Sequence, residues 1–178
     1  MLDTINQLLF NLTTINLENY GCWCHFGSTT SEFSSDPMFG KGKPVDSVDR
    51  ICKSLKNNYE CLLMDKANGD SNFQNCDNPW EIEYSYDPRL KSLAFVLGCT
   101  EYECWKEIQT DCETRNEGDV CAASVCKTET DFVIQIILNH IGTPDYANFY
   151  PGFDFNVGCQ PFKAANYLSS GMKHGEVG

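Results

Sequence analysis

Two stretches of the chain carry a strong helical period. Between Asp46 and Lys66, the residues Val48, Ile51, Cys52, Leu55, Tyr59, Leu62 and Leu63 recur every three or four positions and share one stripe. Asn68-Gly69-Asp70 stops that run. From Val120 to Ile141, a second face collects Ala122, Val125, Cys126, Glu129, Phe132, Val133, Ile136 and His140, and Gly142-Thr143-Pro144 closes it. A shorter stripe of Ile5, Leu8, Leu9 and Leu12 predicts an amphipathic helix over residues 3–13, with Asp3 placed to cap it. Residues 100–112 also read as helix. After the turn at Asn78-Pro79, Glu81-Ile82-Glu83-Tyr84-Ser85-Tyr86 alternates polar and apolar, the pattern of a short strand or hairpin arm. Leu90 to Leu97 fits either helix or strand. Gly27 to Gly42 is rich in Ser, Thr, Gly, Asp and Pro and reads as a loop. Asp145 to Gly178 reads as an extended or looped arm that ends in a tail. The expected architecture is mainly α, with two long antiparallel helices at its core.

Cysteine usage changes the picture. The chain has 11 cysteines among 178 residues. Zinc sites favour repeated Cys-x-x-Cys or paired His. Here Cys22 and Cys24 are one residue apart, the other cysteines are four or more apart, and His25, His140 and His174 sit in unrelated contexts. A disulfide framework of an oxidising compartment is the expected reading, with at least one thiol left over from the odd count. The chain is then secreted and extracellular. Met1-Leu2-Asp3 does not begin a signal peptide, so a leader would have been removed or would lie outside these residues. Asn11-Leu12-Thr13 makes Asn11 a glycosylation candidate.

The formal net charge is −12 and the pI about 4.5. Without a basic surface to displace counterions, nucleic acid is excluded as a partner. Anionic membranes would repel the chain, whereas cations, basic proteins and neutral glycans are compatible with it. The most apolar run, Phe132 to Leu138, is far shorter than the ~20 residues of a transmembrane segment.

One constellation is more specific than any of these patterns. Tyr20-Gly21-Cys22-Trp23-Cys24, followed by Gly40-Lys41-Gly42-Lys43-Pro44-Val45-Asp46-Ser47-Val48-Asp49-Arg50, resembles the calcium loop and second-helix start of secreted phospholipase A2. Cys52, Tyr59, Tyr84-Ser85-Tyr86, Cys121-x4-Cys126 and Cys159 extend the resemblance. It implies a phospholipase A2-like domain over residues 1–162, with a loop insertion at 27–39, a remnant of the calcium loop, a small β-hairpin and a tail at 163–178. It also implies the disulfides Cys22–Cys159 and Cys24–Cys52, with Cys76–Cys121 and Cys112–Cys126 as further bridges. Two bridges usual in the family lack both partners here: Ile51 with Gln135, and Asn58 with Thr128, occupy those positions. Cys61, Cys99 and Cys104 stay unassigned.

In that family a helix-borne His is the general base toward water. The adjacent Asp ligates a calcium ion that polarises the ester. This chain reads Cys52-Lys53-Ser54-Leu55-Lys56-Asn57-Asn58-Tyr59 instead. Aligned on Tyr59, Leu55 takes the place of the His and Lys56 that of the Asp; a one-residue slip gives Lys56 and Asn57. Neither register supplies an imidazole, and an ammonium would repel calcium, so no cofactor is expected. Glu129 matches the Asp that normally orients the His. An ion pair between Glu129 and Lys56 is one expectation, and a Lys56 that snorkels to solvent is the other. His25 reads as a surface residue, and Asp46 and Asp49 as hydrogen-bonding supports of the fold.

The resemblance therefore implies a fold without its chemistry, and not an active calcium-dependent phospholipase A2. A structural or self-assembling extracellular component, such as a filament, matrix or coat subunit, is the first expectation. Self-association or other extracellular proteins would be its partners. The alternative is a lipid- or ligand-binding module, with lipid or glycan as partner, that uses a remnant substrate channel lined by Ile5, Leu8, Leu9 and Leu12.

Overall fold

A computed structural model describes residues 17, 20–25, 40–91, 101–141 and 155–160. The expected helix at 3–13 with its channel residues, the sequon at Asn11, the insertion at 27–39 and the tail at 163–178 lie outside them, as does most of Leu90 to Leu97. In chain order the elements are α1 (Ser47–Ala67), three single 3-10 turns (Ser71–Phe73, Pro79–Glu81, Pro88–Lys91), α2 (Glu101–Arg115), α3 (Val120–Ile141) and the single-turn α4 (Phe155–Gly158). Among these residues no helix is long and apolar enough to cross a membrane.

The long helices begin and end where local chemistry dictates. Asp46 caps α1 by accepting the Asp49 N–H at 2.9 Å. At the other end the Asn68 N–H returns to the Met64 carbonyl at 2.8 Å, and Gly69, at φ 83°, turns the chain out of the helix. Asp119 does the same work for α3, taking the Ala122 N–H at 2.9 Å.

The core forms because α3 lies between α1 and α2 and packs on both. The inward stripe of α1 is Val48, Cys52, Leu55, Tyr59 and Leu62, all buried, while Ile51 and Leu63 are only half-buried. On α3 burial runs further round the helix than a single face. Val125, Cys126, Phe132, Val133, Ile134, Ile136 and Ile137 are all buried, because a helix with neighbours on two sides needs apolar groups on both. Tyr59, midway along α1, meets Glu129, midway along α3. Cys76, just past α1, is bonded to Cys121 in the first turn of α3, so the two helices run antiparallel.

Four disulfides hold this arrangement: Cys22–Cys159, Cys24–Cys52, Cys76–Cys121 and Cys112–Cys126. Cys24–Cys52 ties the turn at 20–25 to α1, Cys112–Cys126 ties α2 to α3, and Cys22–Cys159 pins α4 beside the turn. Cys61 is a free thiol and exposed.

Two local expectations are corrected. No strand forms among the described residues, where the only β-type pairing is an isolated bridge between Tyr20 and Cys24. The alternation at 81–86 is real: Ile82, Tyr84 and Tyr86 lean on the core while Glu81, Glu83 and Ser85 are exposed. No ladder results, because the Asn116 side chain takes the Ser85 N–H (2.8 Å) and donates to the Ser85 carbonyl (2.9 Å). Within the arm, residues 155–158 form a helical turn instead of extended chain, with Phe155 and Cys159 buried.

Candidate functional site

The site is assembled on the turn at 20–25 and the first half of α1. Gly21 has φ 60°, a left-handed conformation, and a Cβ there would lie 2.5 Å from the Asp49 carboxyl carbon. Only glycine lets the turn close onto that carboxylate. Asp49 is fully buried and accepts three backbone N–H groups, from Cys22 (2.9 Å), Trp23 (2.7 Å) and Val45 (2.9 Å). Tyr20 donates its hydroxyl to Asp46. Both aspartates are thus spent on holding the loop against the helix.

Trp23 is fixed by its indole N–H on the Gly42 carbonyl at 3.2 Å. Two ammonium groups approach its ring, Lys53 at 4.6 Å and Lys56 at 5.7 Å from the centroid. His25, expected at the surface, is buried. Its Nε2–H points to the Gly21 carbonyl at 3.1 Å, and its ring stands edge-on to Phe155 with centroids 4.8 Å apart. Burial lowers the pKa of this imidazole. The Cys22–Cys159 bridge brings Phe155 there, a contact that local sequence around His25 does not announce.

Along α1, Leu55 is 1% exposed, Lys56 is half-buried and Asn57 is exposed. The inward position one turn before Tyr59 is therefore Leu55. On α3, Glu129 is wholly buried and accepts two hydroxyls, Tyr59 Oη at 2.5 Å and Tyr84 Oη at 2.6 Å. Burial pushes the Glu129 carboxyl up to about 7, partly offset by the two hydroxyls that favour its charged form. Burial and the facing carboxylate push both tyrosines upward, so they remain donors.

The expected Lys56–Glu129 ion pair is not formed. Among the described residues Lys56 pairs with Glu60 one helical turn on, at 3.9 Å. The reason is solvation. Burying an ammonium beside Glu129 would strip its water, whereas neutral tyrosine hydroxyls satisfy the same carboxylate at far smaller cost. Tyr84 is the partner that sequence reading missed. Its signal was the alternation at 81–86, which turned Tyr84 inward without revealing what it meets.

No protein-family model matches the chain. Phospholipase A2 of sheep (Ovis aries) is 28% identical over 114 residues, covering 57% of this chain and 80% of the sheep protein. With the mainly helical, disulfide-linked fold, that match supports a divergent, phospholipase A2-like domain.

Proposed function

We propose that this chain is a catalytically inert phospholipase A2-like protein that serves as a structural, self-assembling component outside the cell. One observation carries the loss of chemistry. Leu55, a hydrocarbon side chain, fills the buried position that the resemblance gives to the general base, and Glu129 across from it is held by Tyr59 and Tyr84. No group there takes a proton from water. The residues present do not fit a calcium ion either. Lys56 brings an ammonium beside the turn at 20–25, and the three N–H groups on Asp49 occupy that carboxylate.

The four disulfides support an extracellular setting, since such bridges persist in oxidising compartments. They also fit a fold kept for its durability after its chemistry has gone. The test is the particle size of the native, oxidised protein by light scattering and electron microscopy without detergent. Ordered assemblies far larger than the 20.1 kDa chain are expected. A strict monomer at every concentration would contradict the structural role.

A further inference from the structure

The charge of this acidic chain is distributed unevenly along α1. Lys41, Lys43, Arg50 and Lys53 cluster at its N-terminal end. Lys53 sits over Trp23, and Lys41 lies 4.7 Å from the Phe155 ring centroid. The acids in that stretch, Asp46 and Asp49, are consumed by Tyr20 and by backbone N–H groups, and Asp49 is buried. Among the described residues this end therefore sets four cations against two acids and presents positive charge, although the chain as a whole carries −12.

The other end is acidic. Asp65 and Asp70 close α1, and the Lys66–Asp77 ion pair folds Asp77 back beside them. The Cys76–Cys121 bridge, with Cα atoms 5.7 Å apart, brings Glu117 and Asp119 to the same end. Of the cations near that end, Lys66 is engaged by Asp77, and Arg115, two residues before Glu117, is engaged by Asp111. A helix of 21 residues separates the two ends by about 30 Å. That is several times the ~8 Å screening length at physiological salt, so each end acts as a patch of its own sign.

Each patch also holds exposed apolar surface. Val157, 72% exposed, adjoins the basic end, and Met64 (61%) and Val120 (42%) adjoin the acidic end. Exposed apolar groups within opposite charge patches are what a self-complementary contact requires.

We infer that the basic end of one copy docks on the acidic end of the next, head to tail, around Val157 on one side and Met64 and Val120 on the other. The inference rests on the self-assembling role proposed above and specifies its contact. Side-by-side approach of two chains at −12 is repulsive, which leaves end-on contact as the attractive geometry. A heterologous contact of this kind propagates into a ring or a filament and does not stop at a dimer. A polyanion would satisfy the basic end alone and leave the acidic end unpartnered.

The experiment uses the oxidised full chain and two charge reversals at residues chosen to be exposed and outside the hydrogen bonds that hold the fold. One variant carries Lys43→Glu and Arg50→Glu, the other Asp65→Lys and Glu117→Lys. Sedimentation velocity is run in 20 mM and 500 mM sodium chloride, with circular dichroism to verify folding. The native protein is expected to assemble in low salt and to shrink in high salt. Each variant alone is expected to fall to the mass of the 20.1 kDa monomer. An equimolar mixture of the two variants, one acidic and one basic at both ends, is expected to assemble again. Assembly of the native protein that ignores salt and both reversals would overturn the head-to-tail contact while leaving the structural role standing. A native monomer in both salts, including one that binds sulfated glycan or anionic vesicles through its basic end, would overturn both.

Discussion

Replacing Glu129 by Gln tests the buried cluster most sharply. The native carboxyl is wholly buried, with its pKa raised by burial from 4.5 to about 7. A raised folded pKa means that the fold prefers the protonated acid. Stability from this group is fully present below pH 4.5 and is lost as pH rises through 7. At ~1.4 kcal/mol per pH unit, the loss between pH 5 and pH 8 comes to about 2–3 kcal/mol. Glutamine keeps the shape, accepts one tyrosine hydroxyl, donates to the other and does not titrate. Guanidinium unfolding with disulfides intact, followed by circular dichroism from pH 5 to pH 8, gives the difference between native and Glu129→Gln proteins. That difference cancels every other titrating group. It should shift by about 2–3 kcal/mol in favour of the variant as pH rises. Parallel pH profiles for the two proteins would refute the reasoning.

The anchoring of the turn at 20–25 yields three further predictions, the first with a control at Gly69 beyond the end of α1. Gly21→Ala places a methyl 2.5 Å from the Asp49 carboxyl carbon at φ 60°, and should cost ~2–4 kcal/mol by thermal unfolding. Gly69→Ala, at φ 83° with open space around it, should cost only about 1 kcal/mol; equal losses would show that the contact with Asp49 does not matter. Asp49→Ala orphans three N–H groups, that of Cys22 buried and those of Trp23 and Val45 half-buried, and should lose ~2–4 kcal/mol, read as a fall in the denaturation midpoint, with a change under about 1 kcal/mol counting against the loop anchor. The double replacement Cys22→Ser/Cys159→Ser removes a bridge spanning 137 positions and should cost ~2–5 kcal/mol in the same assay, while unchanged stability would show that α4 is held by other contacts.

Much of the fold was legible because several signals fell on the same residues. For α1 the apolar stripe and the Asn68-Gly69-Asp70 stop agree, and for α3 the period runs from Val120 to Ile141. The double-sided burial of α3 was not legible, since a stripe reports one neighbour and α2 supplies another on a different side. Alternation at 81–86 showed which side chains turn inward but not the absence of a partner strand, because Asn116 lies 31 positions from Ser85. His25 and Phe155 meet only because a disulfide joins distant segments, so the burial of that histidine has no local signature. At Glu129 the sequence offered a cation, Lys56, where the structure supplies two tyrosine hydroxyls. The choice between them turned on desolvation, which depends on depth in the core and not on residue type alone.

The proposed absence of catalysis is tested most directly by release of fatty acid from phosphatidylcholine mixed micelles, with millimolar calcium and again with a chelator, using sheep phospholipase A2 as the positive control. With Leu55 and Lys56 where the resemblance places the base and the calcium ligand, the native chain should show no calcium-dependent release above the protein-free background. Calcium-dependent turnover that copurifies with the folded chain and is lost on adding the chelator would contradict the account.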